Sequence, residues 1–65
     1  MTEEVFANLK CRLRKHLRGL APLEEIFGYM LCLVDLGYLK PIDVRFILEC
    51  IFSNDRKDRE WIYKS

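Results

Sequence analysis

A chain of 65 residues, 51% hydrophobic and 32% charged, has the composition of one folded domain and excludes an intrinsically disordered chain. Eleven Lys and Arg against ten Asp and Glu leave a net charge of +1, which speaks against strong non-specific binding to nucleic acid. Three cysteines, odd in number and widely spaced at 11, 32 and 50, exclude the framework of a disulfide-stapled secreted domain, so reduced thiols in a cytoplasmic protein are expected.

A core of this size supplies only about 3–5 kcal/mol, and natural domains as small add a disulfide, a metal or a partner subunit. Association is the expected supplement here. The N-terminal region is acidic and then basic, without the apolar stretch of a signal peptide. The longest apolar run, 26–34, is far short of the ~20 residues that cross a bilayer, so no membrane span is expected.

The first helix is expected over 3–18. Phe6, Leu9, Leu13, Leu17 and Leu20 recur at steps of three and four and form one apolar stripe. Thr2 is placed to cap its start, Glu3 and Glu4 complement the positive end of its dipole, and Gly19 suits its C-terminal cap. The same helix carries the run Lys10-Cys11-Arg12-Leu13-Arg14-Lys15-His16-Leu17-Arg18, so residues 1–20 are net +3 and 21–65 net −2. With the leucines inward, Arg14, Lys15 and Arg18 project from the opposite side, with Lys10 and Arg12 on the flanks. Such a ridge suits phosphates or an acidic protein groove; the plainer alternative is a solvated amphipathic face. No Asn or Gln on that face could address a base edge, so sequence-specific DNA reading is not expected.

The second helix is expected over 22–36, with Pro22 at its first turn, Glu24 and Glu25 behind it, and Gly37 at its end. Leu23, Ile26, Phe27, Met30, Leu33 and Val34 form its predicted buried face. Gly28 and Cys32, four apart on the other side, are small enough for another helix to approach. Flanked by Tyr29, Leu31 and Leu36, they widen the apolar surface beyond one stripe. The third helix is expected over 41–52. Ile42, Val44, Phe46, Leu48, Cys50 and Phe52 also alternate as a strand would, but Pro41 and Asp43 are helix-start signals and no second strand exists to pair with it. As a helix it is apolar nearly all round, broken only by Asp43, Arg45 and Glu49, and two other short helices cannot cover it. A fourth helix over 54–63 is capped by Ser53 or Asn54. It carries Asp55–Arg59 and Arg56–Glu60 at ion-pair spacing, and ends in Trp61-Ile62-Tyr63, which can fold back on the core.

Catalytic and metal chemistry find little footing. Cys11, His16, Cys32 and Cys50 sum to a Cys₃His set, yet no pair has the tight spacing of structural zinc sites. Cys11 and His16, five apart, point well over 90° away from each other on a helix. A redox-sensing Cys11 has no resolving cysteine beside it, and His16 reads as an edge-of-core histidine. Glu24 and Glu25 are adjacent, so their side chains diverge, and Gly19, Gly28 and Gly37 are isolated, so there is no phosphate-binding loop. A helix-turn-helix across Gly37 would present Asp43, Arg45 and Glu49 to DNA, a net acidic surface that phosphates repel.

The expected fold is all-α: three to four short helices in a small bundle, one domain over 1–65, completed by dimerisation. The expected function is that of a small non-enzymatic regulator or adaptor, a helical homodimer that docks on and modulates a larger protein. Met30, Leu31, Phe46, Ile47, Ile51 and Phe52 are the expected dimer contacts. Arg14, Lys15 and Arg18, or the aromatic pair Trp61 and Tyr63, are the expected partner contacts. The competing expectation is a nucleic-acid-binding regulator that works through the basic first helix. No cofactor and no metal are expected.

Overall fold

Local signals set where each helix begins and ends. In the computed structural model, which describes residues 2–64, α1 spans Glu3–Leu17, α2 Leu23–Asp35 and α3 Pro41–Phe52. A 3-10 turn over Arg56–Arg59 then leads into the four-residue α4, Glu60–Tyr63. The Oγ1 of Thr2 accepts from the Val5 N–H at 3.2 Å and starts α1 as expected. Two glycines stop the long helices in the same way. Gly19 (φ 77°) and Gly37 (φ 83°) take the left-handed conformation just past α1 and α2. The N–H of Leu20 then reaches the Lys15 carbonyl at 2.9 Å, and that of Tyr38 reaches Leu33 at 2.8 Å, which satisfies carbonyls the helix ends leave free. At α3, Pro41 fills the first position and Asp43 Oδ2 accepts from the Lys40 N–H at 2.9 Å. These start signals resolve the alternating 42–52 segment as helix.

The fourth element departs from expectation. Ser53 closes α3 rather than opening a helix, and Asp55 caps the 3-10 turn by accepting from the Lys57 N–H at 3.0 Å. Arg59 does not pair with Asp55. Its Nη1 donates to the Ser53 carbonyl, while the Ser53 hydroxyl bonds Asp58. These local hydrogen bonds compete with regular helix and hold the chain in a tight turn, so only four residues beyond it are α-helical.

Leu9 and Leu13 of α1, Ile26, Met30 and Leu33 of α2, and Val44, Ile47 and Ile51 of α3 interlock in one buried cluster. Ile62 of α4 enters it with no exposed surface at all. α1 packs on α2 and on α4, α2 on α3, and α3 on the 3-10 turn, so α4 fills the side of α1 that α3 does not reach. Leu20 and Phe27, expected inside, are instead exposed: Leu20 follows the turn at Gly19, and Phe27 lies one position round the helix from Ile26.

Ile62 therefore completes the core as the fourth wall. Truncation Ile62→Ala is expected to lower unfolding stability by about 2–4 kcal/mol, close to all that a domain of this size has. Urea unfolding followed by circular dichroism measures it; an unchanged midpoint would mean that the tail stands outside the cooperative core.

Candidate protein-interaction faces

The basic run on α1 divides by geometry. Lys10 and Arg14 are four apart, one turn of helix, and both turn to the end of α4. Lys10 is 9% exposed; its Nζ donates to the Lys64 carbonyl at 2.6 Å and lies 4.7 Å from the centre of the Phe6 ring. Arg14 Nη1 donates to the Ile62 carbonyl at 2.8 Å. Carbonyls at a helix C-terminus are the negative end of its dipole, so these cations are where the tail needs charge. Arg14, expected on an outward ridge, is thus half-buried in a structural contact. Arg12 covers the Tyr29 ring at 4.3 Å and comes within 3.9 Å of Glu25. Of the basic run, Arg12, Lys15 and Arg18 remain exposed.

Trp61 and Tyr63 separate as well. Trp61 is half-buried, stacked on Phe6 (centroids 6.0 Å apart, planes 2° apart) and on Phe46 (6.4 Å, 28°). Its indole Nε1 is buried and has no hydrogen-bond partner among the described residues, a desolvated donor of the kind folded proteins seldom keep. Tyr63 points to solvent. Phe6, Tyr38, Leu39, Lys40, Phe46 and Trp61 line an open groove of about 630 Å³.

The expected dimer contacts fall into two groups. Met30, Ile47 and Ile51 lie inside the single chain's core, so they do not face a partner. Sequence reading gave Ile47 and Ile51 to a partner because α3 is too apolar for two helices to cover, and counted Met30 both on the buried face of α2 and in that contact. The 3-10 turn packed on α3, with Ile62 in the same buried cluster, supplies the missing cover. Leu31, Phe46 and Phe52 are exposed, Phe46 by 57% and Phe52 by 64%. They belong to two outward faces. On α3 the exposed positions beyond Pro41 are Ile42, Arg45, Phe46, Glu49 and Phe52, with Arg45 Nε donating to Glu49 Oε1 at 3.1 Å. On α2 they include Glu24, Phe27, Gly28, Leu31, Cys32 and Asp35. Sequence reading missed Ile42 and Phe27, although the spacings 42/46 and 27/31 carry the signal.

His16 sits at the edge of the core and its Nδ1–H donates to the Ala21 carbonyl at 2.8 Å, tying the end of α1 to the following loop. Cys11 and Cys32 are exposed and Cys50 is buried, all three as free thiols. Among the described residues no three His, Cys, Asp or Glu side chains converge as metal ligands, and no helix is long and apolar enough to cross a membrane. Comparison with protein-family models, with curated proteins and with solved structures finds no match to this chain.

Trp61 is the chain's single tryptophan, so its fluorescence reports the seating of the tail. Arg14→Met keeps the aliphatic stem and removes the hydrogen bond to Ile62. It is expected to red-shift the emission and to cost about 1–2 kcal/mol of stability in urea unfolding. Unchanged emission and midpoint would make Arg14 a free surface cation after all.

Proposed function

We propose that this chain is a non-enzymatic protein-binding regulator or adaptor that acts as a helical homodimer and docks on a larger protein, whose activity it modulates. The outward face of α3 carries this reading. Ile42, Phe46 and Phe52 are 65%, 57% and 64% exposed and share one face of the helix, an apolar patch of the kind that marks an interaction site. The face is also its own complement. Two copies of α3 laid antiparallel about Ile47 bring Ile42 opposite Phe52 and Arg45 opposite Glu49, twice over. That arrangement closes on itself by a two-fold axis, as an isologous contact must.

The alternative of a nucleic-acid binder on α1 is weakened by the tail. Lys10 and Arg14 are engaged with α4 carbonyls and Arg12 with Tyr29 and Glu25. That leaves Lys15 and Arg18 as the exposed cations of the run not engaged elsewhere, which gives a shallow salt dependence at best.

Light scattering at micromolar concentration should give twice the 7.8 kDa chain mass. Ile42→Asp and Phe46→Asp should each return it to the monomer. Glu49→Arg alone sets like charges against each other across the two-fold axis and should weaken the dimer about tenfold, or 1.4 kcal/mol. Adding Arg45→Glu restores opposite charges, and with them the affinity. A wild-type monomer, or a dimer indifferent to all of these changes, would refute the α3 contact.

A further inference from the structure

The outward face of α2 differs from that of α3 in one decisive way: it is acidic and cannot complement itself. Glu24, Phe27, Gly28, Leu31, Cys32 and Asp35 are all exposed, and at 3.6 residues per turn they share an arc of about 140°. Phe27 and Leu31 are the ridge and Gly28 and Cys32 the shallow side. Glu24 and Asp35 close the two ends, roughly 16 Å apart along the axis. α2 contains no Lys, Arg or His. Among the described residues neither Glu24 nor Asp35 has an ion-pair partner; Arg12 goes to Glu25. A second copy laid antiparallel would set Glu24 against Asp35 at both ends, and a parallel one would set each carboxylate against itself. Every isologous pairing of this face opposes like charges.

Two residues on the face are also unfavourable choices for the isolated chain. Gly28 stands in mid-helix, where glycine is worse than alanine by about 0.8–1.0 kcal/mol. An added Cβ there would meet nothing within 4 Å, so the fold itself does not call for a glycine. Asp35 is the last residue of α2, at the negative end of the dipole, where a carboxylate is destabilising and a cation would be welcome. Both choices become favourable once a second helix carrying positive charge lies against the face. Gly28 lets it approach closely, and Asp35 and Glu24 pair with its cations.

We propose that the outward face of α2 is a docking site for a basic amphipathic helix of a partner protein. Its apolar stripe seats on Phe27 and Leu31, and Lys or Arg residues about three turns apart meet Glu24 and Asp35. This specifies the larger protein of the regulator reading and rests on that reading, but it uses a different face from the dimer. The mode is helix against apolar face, with charge at the ends deciding which helices are accepted.

The test uses two fluorescein-labelled helical peptides with one leucine stripe, one bearing lysines at both ends and the other glutamates, titrated into the full chain at physiological salt. The lysine peptide should bind at least about tenfold tighter, since two ion pairs replace two repulsions. Glu24→Lys with Asp35→Lys should invert the preference. Gly28→Leu should weaken the lysine peptide about tenfold or more while the thermal midpoint holds or rises, which separates docking from folding. Equal affinities, no saturable binding of either peptide, no inversion, or no effect of Gly28→Leu would overturn the proposal. A change in oligomer mass on Leu31→Asp would do so too, because it would make the face a contact between copies. The dimer measurement is independent. A dimer that fails to discriminate the peptides refutes the α2 site alone, and a monomer that does discriminate them refutes the α3 dimer alone.

Discussion

Every outward feature of this molecule depends on the seal that Ile62 makes against α1. Three helices of 15, 13 and 12 residues leave one side of Leu9 and Leu13 without a neighbour. A four-residue helix packs on that side, and its isoleucine, itself fully buried, joins Leu9 and Leu13 in one cluster. Full burial of such a side chain contributes about 1.5–3 kcal/mol, a large share of what a domain this small possesses. So short a helix would not stand alone in water, and it is held by Lys10 and Arg14 on its terminal carbonyls and by Trp61 between Phe6 and Phe46. The same seal decides what stays free. It draws two cations of α1 inward, and it leaves the far sides of α2 and α3 to face water.

Those two far sides differ in electrostatic symmetry rather than in apolar content. On α3 a cation and an anion sit at equal distances from Ile47, so a copy of the helix can answer itself. On α2 only anions flank the apolar stripe, so a copy cannot. In the proposed reading the first face builds a closed pair and the second is kept from joining it, which leaves two α2 faces per dimer for other chains. A self-complementary contact closed by a two-fold axis also avoids the open-ended assembly that head-to-tail apolar contacts invite.

The regular part of this fold was legible from the residues, and the irregular part was not. Leu9, Leu13, Ile26, Met30 and Leu33 declare their burial by spacing, while Thr2, Gly19, Pro41 and Asp43 declare the helix ends by local hydrogen bonding and backbone conformation. Lys10 and Arg14 gave no such signal, because what they bind lies 54 and 48 positions away and is backbone. Periodicity sees only the element it is read on. The same blindness put Met30, Ile47 and Ile51 in a dimer contact: the fold-back of Trp61-Ile62-Tyr63 was legible, but three residues looked too few to cover the surplus apolar surface, which therefore looked as though it needed a second chain. Leu31, Phe46 and Phe52 kept their outward positions because their own helices turn them there. In the tail, the side chains of Ser53, Asp55 and Asp58 outcompeted the regular helix that the i,i+4 charges suggested.

The tail's attachment also governs the order in which the structure assembles and loosens. Each long helix and its glycine stop involve neighbours within a few positions, and such segments form on the microsecond scale. Joining Arg14 and Lys10 to Ile62 and Lys64 closes a loop of almost the entire chain, whose entropy must be overcome before any contact rewards it. On those entropic grounds α4 is the last piece to dock. Because Ile62 belongs to the one buried cluster, its detachment would open that cluster rather than a separate unit.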